Sequence, residues 1–315
     1  MCFYYIFYRY TAVYVLCHLC DSRRPMAISI INDSTESKPR NMFYLPDDEV
    51  IMSKEPTKTS PEYMYKYAAC ISPIHARYNR SLALVEWVEL NRILGIEYFV
   101  FYVIDVTEDV MHILRFYEQV GIASVVPWNI EVFVSKDDLD YFAQQAALND
   151  CLFQIHEIAE HIMFTDLDEY IVPQKINDYT FDDMLVQLPD ESVFMFRHAY
   201  FKTDTRYNDV TLNTQEFTLR CSNIPVAGVQ TKVIVKTNAL YQMGVHDTWQ
   251  ILYGERHVVD PDIGLLHHYR LSNYGNGAKF VIDTSANKYY TELIGRVQHV
   301  AGELKTTYKH KVINL

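Results

Sequence analysis

Three carboxylates fall within four consecutive positions of the sequence, directly after an apolar segment. Residues 161–169 read HIMFTDLDE and contain Asp166, Asp168 and Glu169. Because side chains two positions apart in an extended chain point to the same side, the carboxylates of Asp166 and Asp168 can converge on one hard cation, Mn²⁺ or Mg²⁺. Such a cation can hold a diphosphate and stabilise its negative charge while a bond to it breaks. A solvated acidic turn is the alternative, which the apolar flanks disfavour.

The segments before these acids alternate between strand and helix patterns. Strands are predicted at 68–72, 96–104, 122–126 and 161–165, and helices at 80–94, 109–119 and 138–160. This order predicts right-handed crossovers and an open, mostly parallel α/β sheet flanked by helices. Ligands bind at the carboxyl ends of strands in such sheets, and Asp166 follows the last of these strands. Further along the chain, a short helix is predicted near 181–188 and strands at 192–197, 216–221 and 231–236.

The composition is that of a folded globular protein. Of 315 residues, 49% are hydrophobic and 22% are charged, which excludes a disordered chain. The 28 basic and 40 acidic residues give a net charge of −12, which disfavours a general nucleic-acid binder because such a protein needs a basic face.

The N-terminal residues differ in character from the rest of the chain. Residues 1–24 contain an apolar, aromatic run just long enough to cross a bilayer, interrupted by Arg9. We interpret it as a signal-anchor, with a cleaved signal or a non-native start as alternatives. Residues 25–66 hold five of the 11 prolines and predict a stem or linker, which places the folded domain at 67–315.

Three cysteines lie within this predicted domain, namely Cys70, Cys151 and Cys221. If the domain is lumenal, one pair among them could form a disulfide. The sequence leaves open which pair that is.

Five stretches of the sequence together resemble glycosyltransferase family 92. They are CISPIHA (70–76), LALVEWVELNRILGIEYFVFYVI (82–104), VGIASVVPW (120–128), LNDCLF (148–153) and HIMFTDLDEYIVP (161–173). The resemblance covers roughly residues 67–310. It implies a GT-A-type α/β fold with a nucleotide-binding N-terminal half and an acceptor-binding C-terminal half. It also implies a UDP-sugar donor, UDP-galactose in the best characterised members, and a divalent metal.

The family resemblance also implies a cellular location, a reaction and a set of partners. Members are typically type II Golgi membrane proteins with a lumenal catalytic domain, and animal members add β-galactose to fucose on N-glycan cores with inversion. The expected partners are therefore a UDP-sugar, a glycan acceptor and, through residues 1–24, a membrane. Two sequons, at Asn32 and Asn79, could carry glycans in a lumenal protein.

The resemblance assigns the acids by position. Asp166 and Asp168 match the DxD element and become ligands of the metal and the diphosphate. Glu169 matches the acid after it and either contacts the same group or stabilises the turn.

Nucleotide contacts are expected from residues nearer the N-terminus. Ser72 lies on the strand that opens the nucleotide-binding half, and Asp105 is a candidate for ribose or uracil, with a helix-leading turn as its alternative. Asn149 and Asp150 either reach the uridine or cap and pack the helix that precedes the DxD strand.

A histidine of the C-terminal half is the expected third metal ligand, since metal sites of this fold often gain one and a neutral imidazole suits Mn²⁺. His246, His267 and His268 are the candidates. Neighbouring residues of a strand face opposite ways, so only one of His267 and His268 can be the ligand, and we favour His268. His246 could contact the diphosphate or the acceptor instead.

An inverting transferase also needs a base for the acceptor hydroxyl. We choose Asp247, which precedes Trp249, a residue able to stack on a sugar. Lys232 and Lys236 share a face of the predicted strand at 231–236, so Lys232 could counter the diphosphate charge, whereas Lys236 fits a solvated edge better.

Two other functions remain open at this point. One is a metal-dependent phosphohydrolase or phosphotransferase, which the position of the acids far into the fold disfavours. The other is a catalytically inactive, glycan-binding relative, which the intact DxD element disfavours. Release of UDP in the presence of Mn²⁺ separates all three.

Overall fold

The computed structural model describes residues 63–129, 140–204, 211–270 and 278–308, together with two short strands near the N-terminus. Those two strands, β1 (Ala27–Ile28) and β2 (Phe43–Tyr44), pair antiparallel with each other. The predicted anchor at 1–24 and the rest of the predicted stem before residue 63 lie outside the described residues. Among the helices that are described, none is long and apolar enough to cross a membrane.

Strands and helices alternate through the first half of the main body, as the sequence predicts. Its strands are β3 (Tyr65–Ile71), β4 (Tyr98–Val103), β5 (Ala123–Pro127), β6 (Ala159–Thr165), β7 (Glu169–Pro173), β8 (Val193–Phe196), β9 (His198–Lys202), β10 (Leu219–Cys221), β11 (Lys232–Lys236), β12 (Leu240–Met243), β13 (Thr248–Ile251), β14 (Arg256–Val258), β15 (Gly264–Arg270) and β16 (Phe280–Ile282). Its α-helices are α1 (Ser81–Leu94), α2 (Glu108–Val120), α3 (Gln144–Ile155), α4 (Phe181–Leu185), α5 (Asn213–Glu216) and α6 (Tyr290–Tyr308).

The larger sheet of the described body has seven strands in the order β14-β8-β11-β6-β3-β4-β5. Its pairs are parallel except those made by β11, which runs antiparallel to both β6 and β8. Along β3 the side chains alternate: Ala69 and Ile71 pack with α1, and Ala68 and Cys70 pack with α3. The prediction of a mostly parallel α/β sheet flanked by helices is therefore confirmed.

A second sheet begins where the first one ends. Its five described strands have the order β16-β10-β9-β15-β7. Since β6 belongs to the first sheet and β7 to the second, the short connection 166–168 carries the chain from one sheet to the other. The predicted DxD acids thus lie at the junction of the two sheets.

The predicted helix over 138–160 is shorter in the structure. Tyr141, Phe142 and Ala143 have left-handed backbone conformations, with φ of 40°, 58° and 56°, so the α-helix begins only at Gln144. At the other end, Ala159 already pairs with β3 across the sheet. The predicted strand at 216–221 is likewise shorter, because Glu216 closes the short helix α5 and β10 begins at Leu219.

Helix α1 is buried on nearly all sides, although its sequence reads as amphipathic. Glu86 and Glu89 are both buried. The Glu86 carboxylate accepts hydrogen bonds from the backbone N–H groups of Asn213 and Thr214, each at 2.7 Å, and from the Thr214 hydroxyl at 2.7 Å. Glu89 accepts from the Tyr117 hydroxyl at 3.0 Å. Buried acids with such partners join helices, so they cannot be recognised as core residues from periodicity.

The disulfide left open by the sequence joins Cys70 of β3 to Cys151 of α3, across a sequence separation of 81 residues. Cys221 carries a free thiol, and burial raises its pKa. The disulfide therefore fastens β3, an interior strand of the large sheet, to the helix that precedes the DxD strand.

Replacing Glu86 with alanine should destabilise the fold strongly. Two backbone N–H groups and a hydroxyl would lose their acceptor, and each unsatisfied buried donor costs about 1–3 kcal/mol. We expect the free energy of unfolding in urea to fall by at least about 2 kcal/mol. Glu303→Ala, at an exposed position of α6, is the control. Equal stabilities of the two variants would contradict a stabilising role for the hydrogen bonds that Glu86 accepts from the first two residues of α5.

Removing the disulfide should lower stability by about 2–5 kcal/mol, because a long closed loop is released in the unfolded chain. The measurement compares melting temperatures of the wild type and of Cys70→Ala/Cys151→Ala, each with and without dithiothreitol. The double variant should melt lower and ignore the reductant, while Cys221→Ser should behave as wild type does. If the wild type melts at the same temperature with and without dithiothreitol, the result would argue against the disulfide.

Candidate active site

Asp166 and Asp168 are presented by the turn between β6 and β7. Because β3 and β6 pair in parallel with Ile71 opposite Thr165, Ser72 follows β3 directly beside Asp166. The Ser72 hydroxyl lies close enough to the Asp166 carboxylate to lower its pKa. It also accepts a hydrogen bond from Nε2 of Gln144 at 2.5 Å. The carboxyl ends of two neighbouring strands thus meet at this point, as the sheet topology requires.

Glu169 points into the protein below the turn. Its side chain is buried, and its Oε2 accepts the backbone N–H of Asp166 at 3.1 Å. Its own carbonyl accepts a hydrogen bond from the indole of Trp87 in α1 at 2.9 Å. Burial raises the pKa of Glu169 to about 7 against the opposing charge of Lys232. Of the two roles predicted for Glu169, stabilisation of the turn is the one that these contacts support.

Lys232 is brought to the acids by the reversed strand. Antiparallel pairing places Val233 opposite Phe164, so Lys232 lies at the carboxyl end of β6. Its Nζ is 2.9 Å from Oδ2 of Asp166 and 3.4 Å from Oε2 of Glu169, and its side chain is 2% exposed. Burial alone would lower its pKa, but the two carboxylates outweigh burial and raise it. Burial would raise the pKa of Asp166, but the charge of Lys232 and the neighbouring Ser72 hydroxyl lower it.

His268 reaches the same acids from the second sheet. In the antiparallel pairing of β15 with β7 it lies opposite Glu169. Its Nε2 is 3.4 Å from Oδ2 of Asp168, and its Nδ1 is 3.4 Å from Oε1 of Glu169. Burial would lower the pKa of His268, yet the hydrogen bond with Asp168 and the nearby negative charges raise it. His268 is therefore the histidine of β15 that faces the acids.

His267 faces the opposite way, as the strand alternation predicts. Its ring stacks on Phe201 with centroids 4.2 Å apart, and its Nδ1 lies 3.1 Å from the hydroxyl of Tyr269. Burial lowers its pKa to about 4, so it is a neutral core residue. His246 lies at the site, in the loop between β12 and β13, and burial lowers its pKa to about 4 as well.

A cavity of about 1260 Å³ opens above these residues. Its walls come from the connection after β3, the DxD turn, the loop between β12 and β13, and the end of β15. Among the predicted site residues, those that line it are Ser72, Asp166, Asp168, Glu169, His246, Asp247 and His268. Asn79, in one of the two sequons, is exposed and also lines the cavity, whereas Asn32 lies outside the described residues.

The three predicted uridine or ribose contacts Asn149, Asp150 and Asp105 lie outside the cavity wall. The Asn149 side chain exchanges two hydrogen bonds of 2.8 Å with the backbone of Met243, and Asp150 accepts the Tyr102 hydroxyl at 2.6 Å. Neither residue lines the cavity, and the buried hydrogen bonds of Asn149 support the packing role that was the alternative to a uridine contact. Asp105 is an exposed turn residue after β4 and is not part of the cavity wall.

Lys236 lies at the far end of β11 and pairs with the exposed Asp190 at 2.5 Å. It lies four positions along the strand from Lys232, and therefore away from the acids that Lys232 contacts. Its solvated-edge interpretation is supported.

Sequence reasoning missed three cations of the cavity wall, namely Arg77, Arg80 and Arg270. Arg77 and Arg80 follow β3 at its carboxyl end, and Arg270 lies two residues beyond His268 on the same strand face. The sequence contains both signals: basic residues directly after a predicted strand, and a basic residue two positions after a candidate ligand on a strand. Positive charge here complements the acids and would suit an anionic ligand.

The donor atoms present are of the type that a divalent cation prefers. Oδ1 of Asp166 is buried without a hydrogen bond, and Asp168 and His268 approach each other at the edge of the cavity. However, within the ranges that the structure describes, no three His, Cys, Asp or Glu side chains form a ready metal site. The ligand set Asp166, Asp168 and His268 therefore stays a prediction.

A buried charge cluster lies at the carboxyl edge of a mostly parallel α/β sheet and faces a large cavity, which is where open sheets of this kind bind their ligands. The chain belongs to glycosyltransferase family 92, whose model matches residues 65–309. This confirms the resemblance seen in the sequence motifs.

Individual relatives are more distant. A Caenorhabditis elegans glycosyltransferase family 92 protein is 31% identical over 145 residues, which are 44% of this chain and 28% of that relative. The Caenorhabditis elegans β-1,4-galactosyltransferase galt-1 is 23% identical over 222 residues, 69% of this chain and 51% of that protein. The chain thus spans about half or less of these curated relatives.

Among solved structures, S. aureus TarS 1-349 in complex with UDP-GlcNAc is similar at a TM-score of 0.40 and 13% identity, covering 76% of this chain and 66% of that one.

Replacing Lys232 with methionine should cost about 3–5 kcal/mol of stability, because Asp166 and Glu169 would lose their buried counter-charge. Lys236→Met is the matched control, since it removes the same side chain from the same strand. Its partner Asp190 is 94% exposed, so losing the Lys236–Asp190 pair should leave stability nearly unchanged. Urea unfolding of both variants measures the difference, and similar values would show that the Lys232 pair is not electrostatically important.

Proposed function

We propose that this protein transfers a hexose, galactose in the first instance, from a UDP-sugar to a hydroxyl of a glycan acceptor, with inversion. The observation that carries the proposal is the placement of Asp166, Asp168 and His268 together at the carboxyl edge of the sheet, on the wall of the cavity. Membership of glycosyltransferase family 92 supports a transferase rather than a phosphohydrolase. The name of galt-1 supports galactose as the first donor sugar to test.

The donor would lie along the carboxyl ends of β3 and β6. Ser72 and the residues after it line that part of the cavity, and Arg77 and Arg80 are cations in the same connection. Their charge offsets the acids, so a diphosphate can lie between positive groups and the DxD turn. Lys232 is buried and takes no part in the wall, so its role is to hold Asp166 in place rather than to touch the diphosphate.

A divalent cation, Mn²⁺ or Mg²⁺, would be held by Asp166, Asp168 and His268. When bound, it supplies positive charge to the diphosphate leaving group. The residues of the chain prepare for it: Lys232 and Ser72 keep Asp166 ionised, and Glu169 and Asp168 orient the His268 ring.

Asp247 is our proposed base. It lines the cavity and is partly exposed. Its Oδ1 accepts the backbone N–H of Thr248 at 2.7 Å and lies 3.3 Å from Nε of Arg256. These contacts fix the carboxylate, and Oδ2 is the atom that we assign to accept the proton of the acceptor hydroxyl.

A Golgi location with a lumenal catalytic domain is also part of the proposal. The disulfide between Cys70 and Cys151 supports an oxidising compartment, since such bonds are rare in the cytosol. The proposed membrane anchor is the apolar run within residues 1–24.

Asp168→Ala should abolish transfer while the fold persists. Losing one carboxylate at the leaving group should lower turnover at least about 100-fold. The assay measures UDP release from UDP-galactose with Mn²⁺ and acceptor, with thermal melting alongside. Asp190→Ala removes an exposed carboxylate remote from the cavity and serves as control. Turnover near the wild-type rate in Asp168→Ala would refute the role of the acids.

Binding of UDP and of Mn²⁺ should reinforce each other. The diphosphate meets like charge at the DxD turn unless a cation bridges them. Linkage makes the effect reciprocal, and we expect about 1–3 kcal/mol of coupling. Calorimetric titration of UDP in Mn²⁺ and in EDTA tests it. Equal UDP affinity in both would mean that the acids hold no bridging metal, and the leaving-group charge would then fall to Arg77, Arg80 or a histidine.

A further inference from the structure

The indole of Trp249 is largely exposed to solvent. Its side chain is 58% exposed, whereas Trp87 is fully buried in the core. Trp249 lines the cavity and stands on the same segment as His246 and Asp247. Aromatic faces in ligand cavities bind the apolar parts of ligands, so an exposed indole in the cavity wall is suited to contact a ligand that the cavity receives.

The backbone of Gly244 holds the indole in position. A Cβ built on Gly244 would lie 2.2 Å from Nε1 of Trp249 and 2.5 Å from its Cδ1. Both distances are far below van der Waals contact, so the ring rests directly against the glycine. Any side chain at position 244 would displace it.

The hairpin around Trp249 is also braced. The backbone N–H of Gly244 donates to the Asp247 carbonyl at 2.9 Å, which closes the loop between β12 and β13. Arg256 donates from Nε to the Thr248 hydroxyl at 2.7 Å and from Nη2 to the Thr248 carbonyl at 2.5 Å. These contacts tie down the backbone of Asp247 and Thr248, the two residues that precede Trp249.

We propose that Trp249 is the platform on which the acceptor sugar stacks. The C–H face of a pyranose ring would lie on the indole, and one of its hydroxyls would then reach Asp247. This inference rests on the proposed function and extends it to the acceptor. An acceptor sugar fits better than the uracil ring, because Trp249 belongs to the hairpin that carries the base, whereas the nucleoside side of the cavity is built by Ser72 and the residues that follow it.

The first test separates acceptor binding from donor binding. With UDP-galactose and a core-fucosylated N-glycan glycopeptide, Trp249→Ala should raise the acceptor KM at least about tenfold, and Trp249→Phe should raise it less. The dissociation constant of UDP with Mn²⁺, measured by calorimetry, should stay within about twofold of the wild type. Tyr253→Ala is the control: it removes an exposed aromatic just beyond β13 that does not line the cavity, and both values should be unchanged.

The second test uses the glycine. Gly244→Ala deletes no contact group, yet it should raise the acceptor KM as Trp249→Ala does, because the added methyl displaces the indole. In the double variant the two effects should not add, since there is no indole left to displace. Thermal melting shows whether Gly244→Ala is folded. If it is not, the test rests on the acceptor KM of Trp249→Ala alone.

Three outcomes would overturn the platform. They are an unchanged acceptor KM in Trp249→Ala, a loss of UDP affinity as large as the loss of acceptor affinity, and fully additive effects of the two substitutions. A wild-type protein that neither binds UDP nor transfers galactose would refute the proposed function, and the platform with it. An active wild type with an unaffected Trp249→Ala variant would refute the platform alone.

Discussion

One buried ammonium group holds the centre of this protein together. Lys232 lies between Asp166 and Glu169 with almost no exposure to solvent, so the three charges depend on each other. Removing charges from water is costly, and the arrangement persists only because each group has a charged or hydrogen-bonded neighbour. The position of the DxD turn therefore follows from the reversed strand β11, which delivers Lys232 to the end of β6.

The same cluster joins the two sheets. Glu169 opens β7 in the second sheet while its carboxylate faces Lys232 of the first, and His268 contacts it from β15. The indole of Trp87 fixes the Glu169 carbonyl from α1. A displacement of either sheet would leave buried charges unpaired, which costs free energy. The geometry of the site is therefore tied to the packing of the two sheets against each other.

The cavity is assembled from segments that are held in place by different contacts. The DxD turn is held by buried charges, and the hairpin of β12 and β13 is held by Arg256 and by the contact of Trp249 with Gly244. Segments fixed in this way can position a donor and an acceptor relative to each other, which is the main requirement for transfer between two bound molecules.

Periodicity and local motifs in the sequence determined the succession of strands and helices up to Asp166, the mostly parallel sheet, the family and the position of the DxD acids directly after a strand. These features depend on neighbours in the chain, which a sequence displays directly. The alternation of side chains along a strand was also sufficient to separate His267 from His268.

Only the tertiary structure decided which distant residues meet. The burial of Glu86, the pairing of Cys70 with Cys151, the use of Asn149 for packing and the place of Lys232 beneath the acids all arise from contacts between residues far apart in sequence. A charged or amide side chain reads as a surface group until its partner is known, because burial becomes favourable only when that partner is present.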